Sequence, residues 1–386
     1  MSHRLLALAI ATLLAISGGL IIGDLSGGGT GDRLADGTTT TTMRPGTLAE
    51  VVRELQEFVA ERRGLAFEHD VDVILLDDDR FEARLLRDAE EDRDEIEVTG
   101  RLMRAVGLLD ADVDLYAVLL RYLGSAVAGF YDPESDELVV RGGGLSPYAR
   151  STLVHELTHA LDDQWFDLHR PELDEGDERS LAFGALVEGD AVRVEQAYRG
   201  TFTDAERLQA GLEQQQQASR IDRRGLPDAI PKIIGFPYLF GPRFVGALVE
   251  RGGEDLVNRT FERPPTTSEH ILHPERWFDD EPVRSVARPE AEGAVLDEGL
   301  YGQSSLQLTL EPVVGTEDAD RAADGWGGDR YVVWDAGGGR TCVRARFAMD
   351  TADDLDELTR ALRAWARERD AHVEQERGTV TFTSCS

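Results

Sequence analysis

Lysine and asparagine are almost missing from this chain: Lys232 is its one lysine and Asn258 its one asparagine. Basic charge is therefore carried almost wholly by arginine, and 41 basic against 74 acidic side chains leave a formal charge of −33. A field of that sign repels phosphate backbones and excludes nucleic acid as a partner. Cysteine is as scarce, at Cys342 and Cys385 alone, which rules out a small disulfide-framed scaffold for 386 residues. Long apolar runs are confined to the start, where Leu5 to Gly23 carries no charge and Asp24 is the first acid. With 41% hydrophobic residues the rest is long enough to bury a substantial core.

The acidic, arginine-biased composition resembles that of halophile proteins. At about 1 M salt the Debye length is about 3 Å, so a carboxylate-covered surface hardly repels itself there. Nineteen uncharged residues just span a bilayer, and with no small-x-small cleavage site before its end the segment 1–25 reads as a signal anchor, or as a cleaved signal peptide in the alternative. Arg4 on one side and the acids on the other orient the remainder outward, at the cell surface. Residues 26–46, rich in Gly and Thr, read as a flexible stalk. Asn258-Arg259-Thr260 is a glycosylation sequon if it lies on the surface. The two cysteines form either a disulfide or a pair of buried thiols.

From Thr47 the pattern is globular and α+β, with residues 47–297 as one mainly helical domain and 298–386 as a C-terminal lobe. Val51, Val52, Leu55, Phe58 and Val59 make a helical stripe over Leu48 to Arg63, two more helices fall between Phe81 and Leu109, and Glu137 to Arg141 is a short strand. Ser151 to Leu161 then reads as a buried helix capped by Ser151, and it contains the sequence HELTH. On a helix His155 and His159 project side by side, as two ligands of one Zn2+ must. Glu156, rotated by about 100°, leans over the open side of the metal as a general base needs to. A catalytic zinc also needs a third protein ligand. Glu188 is the candidate, a carboxylate set among Ala185, Leu186, Val187 and Ala191 on a helix from about Ser180 to Tyr198. Asp190 and Glu195 are the fallback ligands, and Asp163, one turn beyond His159, is a candidate to orient a ligand imidazole.

Those segments, HELTHALDDQWFDL from 155 and ALVEGDA from 185, resemble a family of gluzincin-type metallopeptidases of exported archaeal and bacterial proteins. The likeness continues through GFPYLFG from 235, PPTTSEHILHP from 264 and GWGGDR from 325. It implies a zincin-like fold, His155, His159 and Glu188 as zinc ligands, and Glu156 as catalytic base. Asp162 and Trp165 stand where Gln and His are expected, and His270 where Gln is expected.

The implied chemistry is hydrolysis of a peptide or protein substrate, for which the oxyanion requires a donor besides the metal. His273 ranks first, Tyr238 second, with Tyr131 and His169 behind them; His69, His270 and His372 have no functional reading. By analogy with zincins, the strand at Glu137 to Arg141 is placed as the edge that pairs with an extended substrate; in the alternative, Leu138, Val139 and Val140 are core. After a helix from Gly302 to Glu311, the C-terminal lobe reads β-β-α-β, over Arg330 to Trp334, Thr341 to Ala348, Asp353 to Arg367 and Thr379 to Thr383, with Gly337 to Gly339 as a hairpin turn. The competing readings are a non-catalytic surface domain stabilised by a structural zinc and an acidic cytoplasmic protein with a chance motif. Oligomeric state is not readable.

Overall fold

The computed structural model describes residues 47–87, 92–142, 144–170, 173 and 177–386, so the expected anchor and stalk lie outside the described residues. Among the described residues no helix is long and apolar enough to cross a membrane. The fold is α+β, with two sheets set among thirteen helices there. Helix α1 (Leu48–Arg63) begins with a capping box, in which Thr47 and Glu50 satisfy each other's backbone N–H, and ends at Gly64 with φ 66°. It buries Val52, Leu55 and Val59, and with them Arg63.

Next come β1 (Asp72–Leu76), α2 (Asp78–Leu85), α3 (Arg93–Val106), α4 (Leu115–Ala126), β2 (Gly129–Asp132) and β3 (Glu137–Arg141). The sheet order is β1-β3-β2, with β3 parallel to β1 and antiparallel to β2. The strand at Glu137–Arg141 is therefore central, not an edge. Its second neighbour, β1, is a short partly exposed run that sequence periodicity did not single out. The edge beside the helix that carries His155 and His159 is β2.

Helix α5 (Pro147–Phe166) is buried without a break from Ser151 to Asp162. Such a helix has no polar face to mark its first turn. It is capped by Ser146, with Pro147 at the first position, and Ser151 lies inside it, donating its hydroxyl to the Tyr148 carbonyl. Helices α6 (Asp177–Arg199), α7 (Asp204–Arg220) and α8 (Ala229–Glu262, broken at Gly253, φ 65°) follow. A Cβ on Gly189 would run into the backbone of Gly241, and one on Gly241 into that of Ala185, so α6 and α8 cross in backbone contact. That crossing brings Tyr238, one turn before Gly241, up to Glu188.

After α9 (Ser268–Leu272) and α10 (Pro274–Phe278) the second sheet takes over. Its strands β4 (Ala294–Gly299), β5 (Trp326–Gly337), β6 (Arg340–Met349), β7 (Ala371–Glu376) and β8 (Thr379–Cys385) lie in the order β4-β5-β6-β8-β7, all antiparallel. The four-element reading omitted β4 and β7, the two edge strands. Neither buries a residue fully, so neither shows an apolar alternation. Helices α11 (Gly302–Val314), α12 (Thr316–Ala323) and α13 (Ala352–Ala366) cover the inner face, with Leu358, Leu362 and Trp365 against Val343, Phe347 and Phe382. Ser384 donates to the Ala105 carbonyl at 2.6 Å, and Lys232 pairs with Glu311 at 2.6 Å, tying this sheet and its helices to α3 and α8.

Cys342 and Cys385 face each other across β6 and β8 and are joined as a disulfide with a sequence separation of 43. Closing a loop of that length restricts the unfolded chain by about 4 kcal/mol in the chain-entropy limit. Replacing both residues with Ala is expected to cost about 2–4 kcal/mol in a salt-matched denaturant titration. An unmoved midpoint would show that sheet packing alone sets the stability of this part.

Candidate metal centre

Helix α5 sets His155 and His159 one turn apart, and α6 carries Glu188 to the same point. His155 Nε2 lies 3.0 Å from His159 Nε2 and 3.3 Å from Glu188 Oε2, and His159 Nε2 lies 3.5 Å from the same oxygen. Ligands about 2.0–2.1 Å from one tetrahedral zinc are about 3.3 Å apart, so the triangle has the size of three corners of a zinc site. All three residues are buried. Among the described residues, this trio is the group found with metal-binding geometry.

The surrounding groups explain the orientation of the trio. Glu195 Oε2 lies 3.4 Å from His155 Nδ1 and is itself paired with Arg199, so it holds the ring with Nε2 turned toward Glu188. That is the role the sequence assigned to Asp163. Asp163 is instead occupied elsewhere, accepting from Tyr131 Oη at 2.8 Å and the Leu168 N–H at 2.7 Å. The signal for Glu195 was its spacing: it follows Glu188 by seven residues, two turns along the same face of α6. Asp190, the other fallback ligand, is turned into ion pairs with Arg63 and Arg193. Tyr238 acts on Glu188, the candidate ligand, as a hydrogen-bond donor, so its hydroxyl is engaged within the group.

Burial pushes the Glu188 carboxyl up to about 7, against the lowering effects of His155 and Tyr238. Burial also drives His159 down to about 3, with the charge of Asp190 opposing, so its imidazole is neutral and its lone pair is available. Glu156 is fully buried, with Gly129 of β2 directly above it; a Cβ there would sit 3.5 Å from Glu156 Cγ. Its acidity is depressed most by burial and then by the charge of Glu188, while the Tyr131 backbone N–H pulls the other way from outside hydrogen-bond geometry. Both carboxylate oxygens of Glu156 and Oε1 of Glu188 have no hydrogen-bond partner. Two buried, under-partnered carboxylates beside two imidazoles are costly in isolation and are the donor set that a divalent cation satisfies.

The remaining candidates lie elsewhere or are engaged. His273, ranked first as an oxyanion donor, caps the join of α9 and α10, with Gln303, Glu275 and Asp324 around its ring; none of these belongs to the metal group. Tyr131 donates to Asp136 and Asp163, and His169 faces Glu134. Asn258 of the sequon sits within α8 and accepts from Arg63, and Thr260 is buried, so the tripeptide is not a surface loop. Trp165 donates its ring N–H to the Ala66 carbonyl and His270 is buried beside Thr266. A separate apolar cavity of about 130 Å3 lies where α3, α6, α8 and α11 meet, lined by residues such as Met103, Leu181, Ile234 and Leu308 and by no member of the metal group.

Residues 292–384 match a family model described as a domain of unknown function (DUF8575), which covers the second sheet and α11 to α13. No curated protein matches the sequence. A crystal structure from Chloroflexus aurantiacus, named as that of a "putative hydrolase with a novel fold", is 21% identical, with the match covering 60% of this chain and 88% of that one at a TM-score of 0.40.

Proposed function

We propose that the chain is a zinc-dependent metallopeptidase of the gluzincin type, with a zincin-like catalytic layout, that hydrolyses peptide bonds outside the cell, anchored by its N-terminal segment. The observation that carries this reading is the triangle of His155, His159 and Glu188 at zinc spacing with the unpartnered carboxylate of Glu156 beside it. The trio supplies three protein ligands, where a structural zinc site is closed by four. That count favours catalysis over the structural-zinc alternative.

Bound zinc supplies Lewis acidity, polarising a carbonyl and bringing the pKa of water to about 7. The protein does the rest. Glu156 is held in a dry position where its carboxylate takes the proton of the attacking water and passes it to the leaving amine. Tyr238 and Glu195 hold Glu188 and His155 in their rotamers. Strand β2, the outer strand of its sheet among the described residues, is buried along its length and passes over Glu156 at Gly129; it is the strand on which an extended peptide would pair through its backbone. Such pairing leaves little demand on side-chain identity.

The decisive test is metal content. Chain purified in molar salt and free of chelator is expected to hold about one zinc by elemental analysis, and His155→Ala and Glu188→Ala are each expected to lose it. A folded wild-type chain that takes no metal would overturn the proposal.

A further inference from the structure

Arg63 is fully buried at the last position of α1, and its guanidinium reaches both helices that carry the metal ligands. Its Nη2 donates to Asp162 Oδ1 at 2.8 Å and its Nε to the same oxygen at 3.2 Å. Asp162 is on α5, three residues beyond His159. Arg63 Nε also lies 2.5 Å from Asp190 Oδ2, on α6 two residues beyond Glu188. The third nitrogen, Nη1, donates to Glu254 Oε2 at 3.1 Å and Asn258 Oδ1 at 3.0 Å, both on α8, and Phe261 lies 5.8 Å below the guanidinium carbon. Arg193 closes the far side, donating to Asp190 and to Glu254.

We propose that Arg63 is a positioning residue for the metal centre, a clamp that fixes the separation of α5 and α6 and with it the distance of His159 from Glu188. This rests on the metal-centre reading above. Two buried aspartates one turn or less beyond the ligands meet across the interface of α5 and α6, in side-chain hydrogen-bond contact with each other as well as beside Arg63. The guanidinium ties this contact between the two helices to α1. A zinc site tolerates errors of only about 0.2 Å in its ligand distances, so a bridge this close to the ligands acts on affinity as well as on stability. Only arginine serves here, since its planar fork can engage two helices at once whereas an ammonium is a point charge on a flexible stem. The pairing also accounts for the aspartate at 162, one of the departures from the expected motif: it is the partner of a buried arginine.

The test measures zinc Kd by chelator competition in molar salt, beside the melting temperature of the metal-free chain, for Arg63→Lys, Asp162→Asn and Glu254→Gln. Arg63→Lys keeps the positive charge among these carboxylates, and the melting temperature of the metal-free chain checks that the fold is kept. It and Asp162→Asn are expected to weaken zinc binding by about 10–100-fold, the usual range for groups that orient metal ligands, and to alter the visible spectrum of the cobalt-substituted chain. Glu254→Gln touches the same guanidinium from a helix that bears no ligand and is expected to leave Kd within about threefold while lowering the melting temperature. If all three variants lower the melting temperature with Kd unmoved, or if Glu254→Gln weakens zinc as much as Arg63→Lys, the clamp is overturned and the network is only structural. A wild-type chain without measurable zinc affinity would overturn the metal reading itself, and the clamp with it.

Discussion

Glu156→Gln is expected to lower peptide hydrolysis by about 10²–10⁴-fold while the chain keeps its zinc. The side chain is fully buried and has no hydrogen-bond partner to lose, so the amide occupies the same space without leaving anything behind unsatisfied. Removing an uncompensated buried carboxylate is also expected to raise the stability of the metal-free chain near neutral pH. Burial and Glu188 raise the carboxyl of Glu156, so the folded state holds its proton more tightly than the unfolded chain. The wild-type penalty is therefore fully present only above the raised folded value and fades as pH falls below it, and the gain from Gln is expected to shrink in the same direction. Metal analysis, steady-state rates and melts of the same preparation measure all three. Hydrolysis close to wild type in the Gln variant would mean that a different group takes the proton from water.

Loss of salt is the second large effect. A formal charge of −33 on one folded body repels itself, and salt weakens that repulsion by screening. Extending the Debye length from about 2 Å near 2 M to about 10 Å at 0.1 M is expected to lower folding stability steeply, because the folded body holds the same charges closer together than the unfolded chain does. Chemical denaturation in KCl from 0.1 to 2 M measures it, with sucrose at matched osmolality as control because both solutes favour compactness by exclusion but only the salt screens. Equal gains in the two would mean that surface repulsion is not the limiting term. Ion pairs contribute little to this balance, since exposed ones such as Arg207–Asp204 and Arg321–Asp318 are worth well under about 1 kcal/mol each.

The grouping of His155, His159 and Glu188 was legible because helix geometry is short-ranged. Two histidines four residues apart on an apolar helix can point only one way, and Glu188 stood out as a carboxylate among Ala, Leu and Val. Helices with an amphipathic stripe, such as Leu48–Arg63, and the strand at Glu137–Arg141 were equally visible. What was hidden depends on contacts far apart in sequence. Pairing of β1 with β3, which makes β3 central, joins residues 65 positions apart, as Asp72 with Glu137. The edge strands β4 and β7 bury too little to alternate. Asp163 was assigned from its place one turn past His159, and only the packing of α6 on α5 shows that Glu195 fills that role and that Asp163 is taken by Tyr131 and Leu168. His273 drew notice as a histidine beside proline, and three-dimensional packing puts Gln303, Glu275 and Asp324 around it instead.

Lys232, paired with Glu311 at the seam between α8 and α11 and about half exposed, has a practical consequence. Apart from the amino terminus it carries the single primary amine of the chain. An acylating dye will therefore mark one defined internal point of every molecule, and by turning the ammonium into a neutral amide it removes the pair with Glu311, so the change in stability on labelling reads what that pair contributes to the seam. A bifunctional amine reagent, for its part, has hardly any two points to join within one molecule, so a covalently linked product of doubled mass is a direct sign of two chains meeting.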